Sequence, residues 1–183
     1  MRAEENPFRA SRIEALTFRF AAGGLDDLVD RFLRAGRRGA IVGPPGSGKT
    51  TLLRAVDRRL RARGVETRWN ALPEAEPARA VVLLDGRERA PDLALTLLRV
   101  RTRILGCGLL ATRHAEGGLP TLYRCAPSER IALDLLGELE PSADDGVRGR
   151  FLERLHRCHG NVRAALHAMY WERAGSPGRW ASR

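Results

Sequence analysis

The sequence predicts an α/β fold: a three-layer αβα sandwich with a mainly parallel sheet and a small helical lid after it. Three observations predict it. Short continuous apolar runs recur at Ala40-Ile41-Val42, Ala80-Val81-Val82-Leu83-Leu84 and Leu109-Leu110-Ala111, and strands buried on both faces read as such runs. Helical apolar spacing falls between them, which implies crossovers and parallel pairing. From Ser128 onward only the helical period is left.

In chain order, residues 1–24 read as an N-terminal extension. Within it Leu16-Thr17-Phe18-Arg19-Phe20 alternates apolar and polar, a short strand pattern. Leu25, Leu28, Val29, Phe32 and Leu33 then recur at helical spacing, and Gly36 ends that helix. Ala40 to Val42 forms a strand that enters a glycine-rich turn. Lys49 to Arg63 is helical, with Leu52, Leu53, Val56 and Leu60 on one face. Arginines 58, 59, 61 and 63 crowd its C-terminal end, where they complement the helix dipole. Val65 to Trp69 is a second strand, Pro73 to Arg79 a loop, and Ala80 to Asp85 a buried strand ending in an acid. Asp92 to Val100 is helical, Leu109 to Thr112 a strand, and Thr121 to Cys125 a further strand. Ser128 caps a helix carrying Ile131, Leu135, Leu136 and Leu139. Phe151, Leu152, Leu155, Val162, Leu166 and Met169 line a final helical pair. The divisions that follow are an extension at 1–24, an αβα core at 25–126, a helical lid at 127–174, and a flexible Gly, Ser, Pro and Arg-rich tail at 175–183.

Bulk composition excludes several classes. Hydrophobic content is 43 % and charged content 30 %, ordinary for a globular chain of 183 residues. No run approaches the length of a membrane span, and Met1 to Asn6 has no apolar signal region. Cys107, Cys125 and Cys158 are odd in number and widely spaced, so no disulfide framework is expected, and a reducing cytoplasm is. The net charge of +10 admits a DNA or RNA partner. The arginines are nevertheless spread along the chain, and aromatic content of 5 % offers no base-stacking platform.

Chemistry concentrates at Gly43-Pro44-Pro45-Gly46-Ser47-Gly48-Lys49-Thr50, which fits G-x-x-x-x-G-K-[ST]. Lys49 is the only lysine among 32 Lys and Arg residues, so the one compact ammonium falls where the motif demands it. The glycines let successive backbone N–H groups turn toward phosphate oxygens, and the following helix, with Thr51 in its first turn, adds its positive end. Thr50 offers a hydroxyl to Mg²⁺. Val81 to Asp85, four apolar residues and an acid, has the form of a strand whose aspartate holds that ion's hydration shell. Gly86 stands where a water-activating glutamate usually follows, and Glu88 is the nearest substitute. Thr112 or Arg113, at the end of the 109–112 strand, reaches the γ-phosphate if that strand is central. Arg163, in Gly160-Asn161-Val162-Arg163, opens a helix from which it can swing over a nucleotide. His156-Arg157-Cys158-His159 fits no zinc spacing. Trp180 lies in the tail.

The ordered set of P-loop, apolar strand with Asp85, strand with Thr112-Arg113, and Gly160-Asn161-x-Arg163 resembles a compact AAA+ ATPase, with a leaning toward the STAND signalling ATPases. The resemblance covers roughly residues 25–172. It implies that Lys49 and Thr50 bind phosphates and Mg²⁺, that Asp85 is the Walker B acid, that Thr112 or Arg113 is the first sensor and that Arg163 is the second. It implies ATP and Mg²⁺ as ligands, a protein partner whose binding changes with nucleotide state, and a homo-oligomer formed with nucleotide. The chain departs from the pattern at Gly86, in the roughly ten residues between the second strand and the Walker B strand, fewer than a crossover helix needs, and in the short connection from Arg113 to Thr121, which leaves Arg124 as the nearest later candidate for an arginine finger. Two other readings compete with a regulatory or assembly ATPase: a non-hydrolysing nucleotide switch or scaffold, and a small-molecule or nucleoside kinase.

Overall fold

The computed structural model describes residues 5–21, 23–71, 80–86, 92–126 and 128–175, with 92–95 described in backbone only. The predicted 73–79 loop, Glu88, Trp180 and most of the 175–183 tail lie outside them. The chain divides into two compact units: Phe20–Pro44 with Gly48–Cys125, and Met1–Arg19 with Pro45–Ser47 and Ala126–Arg183.

The first unit is built on a parallel sheet. Its elements are α2 (Leu25–Arg34), β1 (Arg38–Val42), α3 (Lys49–Ala62), β2 (Thr67–Trp69), β3 (Val81–Leu84), α4 (Asp92–Ile104), β4 (Gly108–Arg113) and β5 (Thr121–Arg124). The five strands run in the order β2-β3-β4-β1-β5, and every pairing is parallel. The 108–113 strand is therefore central, as the sequence reading of Thr112 required. β1, β3 and β4 are buried almost throughout, which is why they read as unbroken apolar runs. Alternate residues serve opposite faces. Ala40, Val42, Val82, Leu84, Leu109 and Ala111 form one cluster, against which Leu98 and Leu105 pack. Ile41, Val81, Leu83 and Leu110 point the other way and are equally buried. The arrangement is compatible with three layers.

The connection from β4 to β5 has room for no helix. It needs none, because β5 enters the ladder beside Ala40 while β4 leaves it beside Val42. The chain has only to step back about two residue levels. Pro120 O accepts from Ala40 N at 2.8 Å, so the return segment is itself tied to β1.

The arginines at the end of α3 have carboxylate partners. Arg59 meets Asp26 at 2.5 Å and Arg63 meets Asp26 at 2.8 Å; Arg63 also pairs with Asp30. These pairs are exposed and each contributes little. Asp57, mostly covered on α3, does more. Its carboxylate accepts from Arg61 Nε at 2.9 Å, from Trp69 Nε1 at 2.8 Å and from the Thr67 hydroxyl, joining α3 to β2.

The second unit is helical: α1 (Ala10–Ala15), α5 (Glu129–Leu139), α6 (Asp145–Arg157) and α7 (Val162–Arg173). Side-chain caps start each of the last three. Ser128 Oγ accepts from Ile131 N at 3.3 Å, Asp144 Oδ1 from Val147 N at 2.7 Å and Asn161 Oδ1 from Ala164 N at 3.0 Å. Phe8 and Ile13 join Leu136, Phe151, Leu155 and Leu166 in one core. Asn6 secures this N-terminal segment, donating from Nδ2 to Tyr170 O at 3.0 Å and accepting from Phe8 N at 3.0 Å.

The expected strand at Leu16 to Phe20 is absent: these residues carry no ladder bonds, and the structured element there is α1, just before them. Alternation alone does not make a strand without a neighbouring strand to accept its backbone bonds. Leu16 instead packs against the helical core.

Among the described residues no helix is long and apolar enough to cross a membrane.

Candidate functional site

The carboxyl ends of parallel strands, beside the helix that follows, are where open α/β sheets place ligands. Here β1 ends at Val42, and Gly43 N donates to Arg113 O at 3.0 Å, fixing the start of the glycine-rich loop to the end of β4. The loop re-enters helical geometry at Gly48, whose φ of 84° belongs to the left-handed region. α3 therefore begins with Lys49, and no side chain caps it. The first N–H groups of a helix have no partner inside the helix.

Lys49 is buried, with 5 % of its surface exposed. Its ammonium donates to Gly43 O and to Pro44 O, both at 2.9 Å, so it lies folded back on its own loop. Backbone carbonyls offset part of the cost of burying a cation. Thr50 Oγ1 donates to Asp85 Oδ1 at 3.1 Å, and Thr112 Oγ1 donates to the same oxygen at 3.0 Å. Hydroxyls from α3 and β4 thus converge on the carboxylate at the end of β3. This brings Thr50, Asp85 and Thr112 together, with Lys49 next to Thr50 at the start of α3. Of Thr112 and Arg113, the two candidates for contact with the γ-phosphate, Thr112 places its side chain on Asp85. Arg113 contributes its backbone carbonyl to the loop.

Asn70 was not foreseen. It follows β2 with φ of 53°, a left-handed conformation that asparagine tolerates better than most residues. Its N–H donates to Leu83 O at 2.8 Å, and its Oδ1 accepts from Asp85 N at 3.0 Å. The side chain thereby holds the backbone of the acid. The one sequence signal was an asparagine directly after a predicted strand. His114 is a second unforeseen neighbour, with Nδ1 at 3.4 Å from Gly43 O. Gly86 is exposed, has φ of 69° and would meet nothing within 4 Å if given a Cβ. The chain thus turns sharply at the residue after Asp85. Thr51 is half-buried on α3.

The loop tip, Pro45–Ser47, clusters with the helical unit. Pro45 is exposed, while Ser47 Oγ is buried with no hydrogen-bond partner among the described residues. Gly46, with φ of 72°, lies against the Asn161 amide: a Cβ there would come within 2.8 Å of Nδ2 and overlap Oδ1. In the same unit Arg163 is exposed on the first turn of α7.

Arg124 is exposed and paired with Glu116 at 2.5 Å. His156 Nε2 lies 2.7 Å from Glu129 Oε1. Among the described residues no three His, Cys, Asp or Glu side chains gather to hold a metal ion by themselves. Asp85 has the Thr50 hydroxyl 3.1 Å from its Oδ1. That pair suits Mg²⁺, which takes few protein ligands and keeps waters and phosphate oxygens for the rest. Deep in the first unit, burial pushes the Cys125 thiol up to about 12, against an opposing pull from the Lys49 ammonium.

The chain matches no known protein family and no curated protein.

Proposed function

We propose that this protein binds Mg·ATP at the 43–51 loop and acts as an AAA+-like regulatory or assembly ATPase, changing its binding of a partner with nucleotide state. The observation that carries the reading is the convergence of Thr50 and Thr112 on Asp85 Oδ1, beside a buried lysine at the start of α3. The partnerless Ser47 hydroxyl and the uncapped start of α3 also favour an anionic ligand.

On this reading each residue has a defined task. Lys49 exchanges its two loop carbonyls for phosphate oxygens, which form stronger, charge-assisted bonds. The loop N–H groups of Gly46 to Thr51 cradle the same phosphates. Thr50 would help hold the cation through a hydroxyl lone pair, its proton then directed away from Asp85. Asp85 balances the cation's charge, and Asn70 keeps the acid in place. Thr112 stays within reach of the acid and so senses whether that oxygen is engaged. The bound Mg²⁺ supplies charge neutralisation of the phosphate oxygens. Arg113 is a further candidate for contact with the γ-phosphate.

Gly86 favours a second reading, a switch that binds ATP without hydrolysing it. Residue 86 offers no carboxylate of its own, and the backbone there is left-handed.

The deciding experiment is calorimetric titration with ATP, with and without Mg²⁺, on the native chain and on Lys49→Ala, beside phosphate-release assays. Loss of Lys49 removes charged hydrogen bonds of about 1.5–3 kcal/mol, so affinity should fall about 10- to 100-fold. Turnover above the Lys49→Ala background supports the ATPase. Binding with no turnover supports the switch. No binding of ATP or GTP by the native chain refutes both.

A further inference from the structure

The exposed large hydrophobic side chains among the described residues are Leu97, Val100 and Ile104, at 63 %, 52 % and 79 % exposure. All three lie on α4. Their spacing of three and four residues puts them on one face of the helix. A different face of α4 already serves the core, through Leu98 and Leu105. The helix is thus apolar on two faces, one covered and one not. Single exposed apolar residues are ordinary, but an aligned set marks a contact surface.

The charged side chains described on α4 are all arginines. Arg101 and Arg103 are exposed on the same C-terminal turns, and among the described residues neither has a carboxylate partner. Arg38 adds to them: it donates to Arg99 O at 2.8 Å and to Thr102 Oγ1 at 3.1 Å. Burial, then the nearby Arg103 and Arg99 guanidiniums, hold its pKa below the ordinary arginine value.

We infer that α4 is a docking surface for an amphipathic helix of a partner protein, one with an apolar stripe flanked by glutamates or aspartates. Aliphatic side chains at helical spacing suit packing against another helix. The uncompensated arginines select an acidic flank and repel a basic one. A second copy of this chain fits worse, because two-fold pairing would bring the arginines of both copies together. Nucleic acid fits worse as well, because it would leave the three aliphatic groups in water. The stripe lies outside the strand ends that carry the nucleotide reading, so its test uses no nucleotide.

The test uses the full chain and two synthetic amphipathic helical peptides. Both carry leucines at i, i+3 and i+7; one is flanked by glutamates and the other by lysines. Fluorescence anisotropy should give a Kd of about 100 μM or tighter for the glutamate peptide, with no measurable binding of the lysine peptide. Ile104→Asp, an exposed change that leaves the thermal midpoint in place, should weaken the glutamate peptide at least about tenfold. The double variant Arg101→Glu/Arg103→Glu should reverse the preference between the peptides. The inference is overturned if the glutamate peptide does not bind, if both peptides bind alike, or if Ile104→Asp changes nothing. It is also overturned if sedimentation shows a dimer that Ile104→Asp dissolves. Duplex DNA binding that the arginine reversal abolishes and Ile104→Asp leaves intact would overturn it too.

Discussion

On the proposed ATPase reading Gly86 takes the place of a hydrolytic glutamate, and its backbone sets what a substitution there can do. The residue is exposed, with φ of 69°, and an added Cβ would meet nothing within 4 Å. Steric contact with the described residues therefore adds nothing to the cost of a side chain. What is left is the left-handed conformation, which costs a non-glycine residue about 1–2 kcal/mol. Gly86→Ala and Gly86→Glu should thus lose about the same stability, about 1–2 kcal/mol, and Gly86→Asn distinctly less. With a urea slope of about 2 kcal/mol/M, the midpoint should fall by about 0.5–1 M for alanine and glutamate. Circular dichroism on a urea series measures this. The same Gly86→Glu protein should release phosphate from ATP no faster than the native chain, because a side chain projecting from a left-handed turn does not continue the line of β3 toward Asp85. Equal stability of all four proteins would show that residue 86 is not held at positive φ. A gain of turnover in Gly86→Glu would show that the turn relaxes enough to place a carboxylate, and the reasoning would fail at that step.

Further expectations concern other points of the fold. Asp57→Ala leaves Trp69 Nε1 and the Thr67 hydroxyl without their acceptor, and should cost about 2–4 kcal/mol in denaturant melts. Burial raises the pKa of Asp57, but hydrogen bonds from Thr67, Arg61 and Trp69 outweigh it and hold the carboxyl below the ordinary aspartate value. Its folded pKa is depressed, so its contribution is present above the unfolded value of about 3.9 and is lost as pH falls through the folded one. The stability gap between the native chain and Asp57→Asn should therefore close in acid and be constant near neutrality. Gly46→Ala should lower the thermal midpoint of the helical unit through strain and overlap with Asn161. Adding Asn161→Ala should relieve the overlap, yet lose a helix cap worth about 1 kcal/mol. If the double variant is no better than Gly46→Ala alone, the overlap is not the cause. Cys125 and Cys107 are buried, and burial holds the Cys125 thiol at about 12. Alkylation with iodoacetamide at about pH 8, read by mass spectrometry, should therefore label the half-buried Cys158 first.

The strands that form the middle of the sheet were legible because burial on both faces writes an unbroken apolar run, which no exposed segment can afford. The glycine-rich loop was legible because left-handed turns at Gly46 and Gly48 admit few other residues. Helix starts at Ser128 and Asn161 were legible because a capping side chain satisfies the first N–H groups locally, within three residues. The Leu16 to Phe20 strand failed for the complementary reason: its alternation was local, and a strand exists only if another strand lies beside it.

Beyond the N-terminal segment, where it missed α1, the sequence by itself determined the elements, their order, and the chemistry placed at their ends: one lysine in a phosphate-type loop, one acid after a buried strand, one threonine near the end of another. Those are properties of neighbours along the chain. The tertiary structure decided which ends meet. It put β4 between β1 and β3, so that Thr50 and Thr112 share one oxygen of Asp85. It brought Asn70 from a third strand to hold that acid. It also left one face of α4 without cover. Each of these depends on strand order and on packing between residues distant in sequence, and no local pattern encodes that.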